Sequence, residues 1–240
     1  MKPLQRTRIE KAAADCGFDL LPKLQEGGLL LRSTAFPETV TLRLTGDARF
    51  EVRASDSTLL EGLPLAREGW TLAEGITALY ATLERAAATA RTMPNRVAAQ
   101  FEQATKALPR ATDAERLVVQ RVGQDLFRRA LLDYWRGRCC VTGLAVPELL
   151  RASHIKPWAL CGSDDERLDV FNGLLLAPHL DALFDGGWVS FDDAGELLVS
   201  STLPHEALVL FDLQRSLRVD YLTSQHQRYM GFHRAEVFRQ

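Results

Sequence analysis

The sequence predicts an α+β fold, with short strands towards both ends of the chain and helices between them. Apolar and polar residues alternate from Val40 to Val52, which is the period of half-buried strands. Apolar residues then recur at helical spacing from about residue 71 to 134, and a strand pattern returns after Cys139. We therefore expect an N-terminal mixed α/β module at residues 1–68, a helical connector at 69–126 and a C-terminal domain at 127–240.

The first two segments are expected to contain one short helix, a strand meander and three longer helices. Thr71-x-x-Glu74 and Thr112-x-x-Glu115 have the spacing of capping boxes, so each is expected to begin a helix. Pro94 and Pro109 should separate the helices, because proline cannot extend a helix from within. The expected elements are a helix at 8–16, strands at 29–32, 40–44 and 50–52, and helices from 71, at 96–107 and from 112.

The C-terminal segment returns to short strands separated by turns. Pro178 suits the first position of a helix, and Gly186-Gly187 is expected to end that helix. A polar loop at 164–167 is expected between the first two strands. The expected elements are strands at 149–155 and 174–177, a helix at 178–185, a hairpin spanning 189–199 and a final helix at 224–238.

The composition is typical of a soluble globular protein, with 46% hydrophobic and 25% charged residues. The formal net charge is −2, so binding to nucleic acid would depend on local positive charge. The four cysteines are spaced for neither a disulfide framework nor two C-x-x-C pairs. The first 17 residues lack the apolar core of a signal peptide, and no apolar run is long enough to span a membrane. We expect a cytoplasmic protein without a membrane segment.

Residues suited to phosphodiester hydrolysis are concentrated between 150 and 185. His154 lies near the end of the first C-terminal strand, Asn172 precedes the second strand, and His179 and Asp181 lie in the first turn of the next helix. A hairpin packed on that helix would bring these side chains to one cleft. Histidine can take a proton from water near neutral pH, and a divalent cation can neutralise charge on a phosphate. This order predicts a single-metal nuclease site.

These motifs resemble those of the HNH endonucleases, the ββα-metal nucleases, and most closely a subtype found in bacterial restriction-like proteins. The matching stretches are C-V-T-G at 140–143, A-S-H-I-K-P-W at 152–158, N-G-L-L-L at 172–176 and L-D-A-L-F-D at 180–185. The resemblance covers residues 127–200, and the tail at 227–238 is similar as well. It implies a C-terminal ββα-metal nuclease domain that hydrolyses DNA with one divalent cation, Mg²⁺ or Mn²⁺.

The resemblance assigns roles residue by residue. His154 matches the motif histidine that acts as the general base, and Asn172 matches the asparagine that organises the loop and supports that base. Asp181 falls on the last motif position, which is usually a metal-binding histidine. A carboxylate suits Mg²⁺ or Mn²⁺ at least as well as an imidazole does. His179 is expected to be a second metal ligand or a phosphate contact.

Three further side chains are expected to support the site. Ser153 stands where many relatives have an acidic metal ligand, and Asp185 can either supply that missing carboxylate or brace the helix. Lys156 is expected to shape the entrance of the site, or alternatively to be an ordinary surface charge. A structural zinc is not expected, because only Cys140 stands at the first of the two cysteine knuckles that hold zinc in many relatives.

Arginines are distributed along the helix that leads into the site and along its exit. They are expected either to lie on a solvated helix face or to contact a nucleic-acid backbone. The residues expected to make such contacts are Arg128, Arg129, Arg136 and Arg138.

Together these features predict a metal-dependent DNA endonuclease with a restriction or defence role, acting on double-stranded and in some cases modified DNA. Two alternatives stay open: a nucleic-acid-binding protein whose nuclease site has decayed, and a nuclease or toxin that cleaves RNA. The N-terminal module is expected to select the target, to bind a protein partner or to mediate dimerisation. A homodimer would supply the two sites that a double-strand cut requires.

Overall fold

A computed structural model describes residues 3–25, 28–46, 48–67, 69–109 and 111–240. Its class is α+β, as expected, and the chain forms two compact units, Met1–Arg91 and Thr92–Gln240. The boundary falls between two helices, so the helices expected to form one connector belong to different units. The functions expected for residues 1–68, 69–126 and 127–240 stay predictions.

The first unit is a six-stranded antiparallel sheet with two helices. Its strand order is β1-β2-β3-β4-β6-β5. The elements are α1 (Pro3–Asp15), β1 (Leu20–Gln25), β2 (Gly28–Arg32), β3 (Val40–Leu44), β4 (Arg49–Ala54), β5 (Leu65–Arg67), β6 (Trp70–Glu74) and α2 (Gly75–Arg91). One sheet face is buried, as Val40 and Leu42 on β3 and Phe50 and Val52 on β4 show. Helix α2 contacts β4 and β6, and α1 contacts β1 and α2.

The predicted capping box at Thr71-x-x-Glu74 is wrong. These residues lie in β6, where Thr71 pairs with Val52 and Ala73 with Phe50. Pairing with β4 overrides the local helix signal, because Thr71 is buried in the sheet. The helix begins after the strand at Gly75, whose φ of +85° is a conformation that favours glycine.

The second unit contains the remaining helices and two small antiparallel sheets. Its elements are α3 (Pro94–Thr105), α4 (Asp113–Tyr134), β7 (Arg151–His154), α5 (Asp164–Leu168), β8 (Gly173–Leu176), α6 (Pro178–Asp185), β9 (Val189–Phe191), β10 (Leu197–Val199), α7 (His205–Leu210) and α8 (Ser224–Glu236). The capping box of Thr112 and Glu115 is present at the start of α4, and α6 has the expected bounds. The stretch expected to be a polar loop is instead the short helix α5, which is capped by Ser163.

The nuclease motifs lie on three consecutive parts of this unit. Strands β7 and β8 pair in antiparallel register, with His154 opposite Gly173, and α6 follows β8 directly. Helix α4 contacts both strands, and α6 contacts β7. No helix in the described part of the chain is both long and apolar enough to cross a membrane.

Candidate functional site

Strand β7 directs neighbouring side chains to opposite faces, as the pleat of a strand requires. On one face, the hydroxyl of Ser153 donates a hydrogen bond to Oδ1 of Asp185 on α6, at 2.9 Å. On the other face, the ring of His154 stacks on Phe127 of α4, with centroids 3.8 Å apart. His154 and Asp185 nevertheless line the same cavity, of about 340 Å³, together with Trp158. This cavity brings the expected base and one carboxylate together.

The tautomer of the neutral His154 ring is set by one backbone contact. Nε2 of His154 lies 2.9 Å from the carbonyl oxygen of Arg167. A carbonyl can only accept, so Nε2 carries the hydrogen and Nδ1 carries the lone pair. Burial lowers the pKa of His154 to about 4, although the Arg167 carbonyl acts in the opposite direction. The imidazole is therefore neutral at pH 7 and its Nδ1 can accept a proton.

Asn172 is fully buried and joins both ends of the loop between β7 and β8. Its Oδ1 accepts a hydrogen bond from the backbone N–H of Lys156 at 2.8 Å, and its Nδ2 donates to the carbonyl of Glu166 at 3.1 Å. Nδ2 also lies 3.4 Å from the sulfur of Cys161. The next carbonyl after that of Glu166 is the Arg167 oxygen that holds His154. Asn172 thus positions His154 indirectly, because it holds the loop whose carbonyl accepts the hydrogen bond from Nε2.

The same loop is braced by the side chain of Arg167. Its guanidinium donates to the carbonyl of Cys161 at 2.7 Å and to the carbonyl of Trp158 at 3.3 Å, and forms an ion pair with Asp164 at 3.0 Å. Lys156 forms an ion pair with Glu166 at 2.8 Å. Lys156 therefore braces the loop in this structure, and its expected role at the site entrance stays a prediction.

Helix α8 anchors the turn that carries Asn172. Oδ2 of Asp169 accepts hydrogen bonds from the Tyr229 hydroxyl at 2.8 Å and from Arg228 at 2.9 Å, and Oδ1 accepts from the backbone N–H of Phe171 at 2.9 Å. Burial raises the pKa of Asp169, and the hydrogen bond from Tyr229 acts against that rise. The C-terminal helix is therefore tied to the residues next to Asn172.

Gly173 is required by close packing. A Cβ at this position would lie 2.6 Å from Cζ of Phe127 and 2.7 Å from Cδ1 of Leu131. Phe127 is the ring on which His154 stacks, so a side chain at 173 would displace the support of the base. The dipeptide Asn172-Gly173 thus serves both the loop and the packing beneath the histidine.

Two carboxylates lie one turn apart on the same face of α6. Asp181 and Asp185 are four residues apart, and both interact with the side chain of Ser153. Burial raises the pKa of both carboxyls above the ordinary value. The side chain of Ser153 lowers both values and donates its hydrogen bond to Asp185, Arg151 lowers the pKa of Asp181, and the charge of Asp181 raises that of Asp185 further. A cation at this pair would relieve the repulsion between the two carboxylates.

His179 is not brought to this pair of carboxylates. It lies two residues before Asp181, and residues two apart point to different sides of a helix. Its ring stacks on Phe211, with centroids 5.8 Å apart and planes 12° apart. Burial and the charge of Arg215 lower its pKa. Within the described ranges no three His, Cys, Asp or Glu side chains form a group that could hold a metal ion.

Of the arginines expected to contact nucleic acid, Arg128 is used within the fold. Its guanidinium donates to the carbonyl of Leu150 at 2.6 Å and to the carbonyl of Pro147 at 2.8 Å. It therefore ties α4 to the segment that leads into β7. The other three, Arg129, Arg136 and Arg138, are exposed.

The two neighbouring cysteines make different contacts, and Cys139 is the one whose sulfur takes part in hydrogen bonds. The sulfur of Cys139 accepts hydrogen bonds from the backbone N–H groups of Thr142 at 3.4 Å and Ala177 at 3.3 Å. It thus links the turn before β7 to the start of α6. Cys140 instead pairs its backbone N–H with the carbonyl of Leu175.

Two elements of the site were not predicted from the sequence. The Arg167 carbonyl is a backbone group, so no side-chain pattern could indicate it. Asp169 caps the 3₁₀ turn Val170–Asn172, and an aspartate two residues before a turn N–H is a signal that could have been recognised.

A model of the HNH endonuclease family matches residues 139–192. The matched stretch begins at Cys139 and ends just after β9, so it contains His154, Asn172 and both carboxylates of α6. It covers less than a quarter of the chain and lies within the second unit. No curated protein matches this chain.

Proposed function

On the premise that residues 139–192 are an HNH endonuclease domain, we propose that this protein is a metal-dependent endonuclease that hydrolyses DNA phosphodiester bonds. The observation that carries the proposal is the cavity shared by His154 and Asp185. It places a neutral imidazole and a carboxylate around one space.

His154 is proposed as the general base. Its Nδ1 would take a proton from the attacking water, while Nε2–H stays bonded to the Arg167 carbonyl. The imidazolium that forms is stabilised by that carbonyl, because the oxygen carries the negative end of the dipole. Stacking on Phe127 limits rotation of the ring, so Nδ1 keeps its direction.

Asp185 and Asp181 are proposed as the residues that hold the cation. Carboxylate and hydroxyl oxygens suit Mg²⁺ or Mn²⁺, and Mg²⁺ commonly binds through one or two carboxylates with the rest of its shell supplied by water and phosphate. Burial raises the pKa of both carboxyls, so a bound cation would stabilise their ionised forms. When bound, the ion would neutralise charge on the scissile phosphate. Ser153 would keep Asp185 oriented through its hydrogen bond.

We further propose double-stranded DNA, including modified DNA, as the substrate and restriction or defence as the role. Both rest on the resemblance of the motifs to restriction-like HNH proteins. A homodimer would place two such sites on one duplex.

The test is cleavage of supercoiled plasmid with Mg²⁺, with Mn²⁺ and with EDTA, using plasmid from modifying and non-modifying hosts. His154→Ala is expected to slow cleavage by about 10²–10⁴-fold, the usual contribution of a general base. His205→Ala, a change in an exposed residue of α7, is the matched control and should retain activity. His179→Ala tests whether His179 is a second metal ligand or a phosphate contact, since retained activity would argue against both roles.

Other outcomes separate the rival functions. Binding without cleavage under every metal condition would favour a decayed binding protein. Cleavage of structured RNA but not of plasmid would favour an RNA-directed nuclease. Cleavage that persists in His154→Ala would refute the proposed mechanism.

A further inference from the structure

The sheet of the first unit has one buried face and one open face. Residues that pair across neighbouring strands project to the same side, so the pairs Thr41–Arg53 and Arg43–Glu51 lie opposite the buried Val40 and Leu42. We call this second side the open face. It comprises the alternate strand residues that share a side with Arg43.

The open face is strongly basic. Its cations outnumber its anions, whereas the whole chain has a formal net charge of −2. The basic side chains that the strand register places there are Lys23, Arg32, Arg43, Arg49, Arg53 and Arg67, and the acidic ones are Glu51 and Glu74. Positive charge is therefore concentrated on the open face of the sheet.

Three of these arginines converge on one aromatic ring. The guanidinium carbons of Arg43, Arg53 and Arg67 lie 4.4, 4.7 and 5.2 Å from the centroid of Trp70. Trp70 is only 4% exposed. The indole thus has three cations around it, each attracted by the ring and repelled by the other two.

Only part of this positive charge is balanced within the fold. Arg67 pairs with Glu51 at 2.7 Å. In the part of the chain that the structure describes, no ion pair to a carboxylate engages Arg43 or Arg53, and Nε of Arg43 is buried without a hydrogen-bond partner. An anion bound here would balance the charge of these two guanidinium groups and relieve the repulsion.

The chemistry of this face matches a chain of phosphates. A stacked guanidinium keeps its N–H edges available, and their fork fits phosphate oxygens with two parallel hydrogen bonds. Several such groups on a broad sheet suit a ligand with repeated charges. A lipid surface fits less well, because the exposed Leu24 and Leu65 pair with Leu29 and Thr71 and so belong to the opposite face.

We propose that the open face of the first unit binds the phosphate backbone of DNA. The binding itself follows from the charge and stacking of this face, and the choice of DNA rests on the proposed nuclease function. Because both units belong to one chain, DNA held by the first unit is presented to the nuclease domain at a raised local concentration. The contacts are to the backbone, so this binding adds affinity rather than a preferred sequence.

The test measures binding separately from cleavage. The full chain carrying His154→Ala, in EDTA, is titrated against a fluorescently labelled 30-base-pair duplex at several salt concentrations. Adding Arg43→Gln and Arg53→Gln should weaken binding about tenfold and reduce the slope of log K against log salt by about 1.8, as expected for the loss of two phosphate contacts. This double change leaves the pair of Arg67 and Glu51 in place.

The matched control is Arg6→Gln with Arg8→Gln, which removes the same charge from exposed positions of α1 in the same unit. An equal loss in this control would show that only overall charge matters and would overturn the proposal. Unchanged binding in the Arg43 and Arg53 variant would overturn it as well.

A further double variant distinguishes the loss of charge from a loss of folding. Arg43→Lys with Arg53→Lys retains the charge, so the salt slope should stay at the parent value even where thermal unfolding shifts. Binding to vesicles with 30% phosphatidylserine but not to the duplex would overturn the proposal, and so would competition by RNA but not by DNA. Binding is measured under conditions that block cleavage, so the binding result can be interpreted even if the protein proves not to be a nuclease.

Discussion

Nε2 of His154 and the carbonyl oxygen of Arg167 lie 2.9 Å apart, and this contact decides which ring nitrogen can act as a base. The carbonyl belongs to a loop whose two ends are joined by Asn172. Any change that loosens the loop therefore changes the direction of the imidazole as well as the stability of the domain.

Asn172→Ala should lower both stability and activity. The change leaves the part-buried N–H of Lys156 without its acceptor, and an unsatisfied buried group costs roughly 1–3 kcal/mol. Urea unfolding should show a loss of about this size. Plasmid nicking should fall about tenfold or more, as is usual when a group that orients a residue of the site is removed. Normal stability with lost activity would instead mean that Asn172 acts directly on the reacting groups.

Asp185→Asn and Asp181→Asn should each raise the Mg²⁺ concentration needed for half-maximal cleavage, because each removes a charged oxygen ligand. Ser153→Ala should have a smaller effect of the same kind, about tenfold, since it only orients Asp185. Metal titrations of the nicking rate measure these shifts. Asp212→Asn is the control, because its φ of +52° also suits asparagine. Equal Mg²⁺ dependence in all four variants would contradict the assignment.

The free energy of unfolding should fall as the pH drops from about 6.5 towards 4. Burial lowers the pKa of His233 from 6.5 to about 4, and the charge of Arg234 adds to this, whereas the Phe184 carbonyl that accepts from Nε2–H acts in the opposite direction. Between these pH values the unfolded chain binds a proton that the folded chain does not, which costs about 1.4 kcal/mol per pH unit. Urea unfolding at pH 7.0 and 5.5 should show a smaller loss in His233→Asn than in the parent. Parallel losses would show that another group dominates.

Arg128→Met should change the stability of the protein, whereas Arg129→Met should change only its binding to DNA. Arg128 donates to two backbone carbonyls, so its removal should cost about 1–3 kcal/mol of unfolding free energy and leave the salt dependence of DNA binding unchanged. Arg129 is exposed, so its removal should leave stability within about 0.5 kcal/mol. If it contacts phosphate, the salt slope falls by about 0.9. Thermal unfolding and anisotropy titrations distinguish the two.

Strong local signals could be read directly from the sequence. The proline and glycines around α6 fixed its bounds, and the Thr112 box began α4 as expected. The same spacing at Thr71 did not begin a helix, because Thr71 pairs with Val52 of β4, a residue outside the short stretch from which the capping box was predicted. Local chemistry predicts an element only where tertiary pairing does not compete.

The site was partly readable for the same reason. The positions of His154 and Asn172 follow from motif spacing, whereas the role of His179 stays a prediction, because two residues along a helix turn its side chain away from that of Asp181. Arg128 looked like a phosphate ligand because charge alone cannot show that a guanidinium is already used by backbone carbonyls.

The link between Asp169 and Tyr229 makes the turn that carries Asn172 depend on a helix that is synthesised later. Tyr229 follows Asp169 by 60 residues, so a ribosome completes the histidine and asparagine motifs well before it makes the helix that fastens them. A nascent or prematurely terminated chain carries the reactive residues without the tie that sets their geometry. A chain that stops before residue 229 is therefore expected to hold the turn of Asn172 less firmly, although every residue of that turn is present.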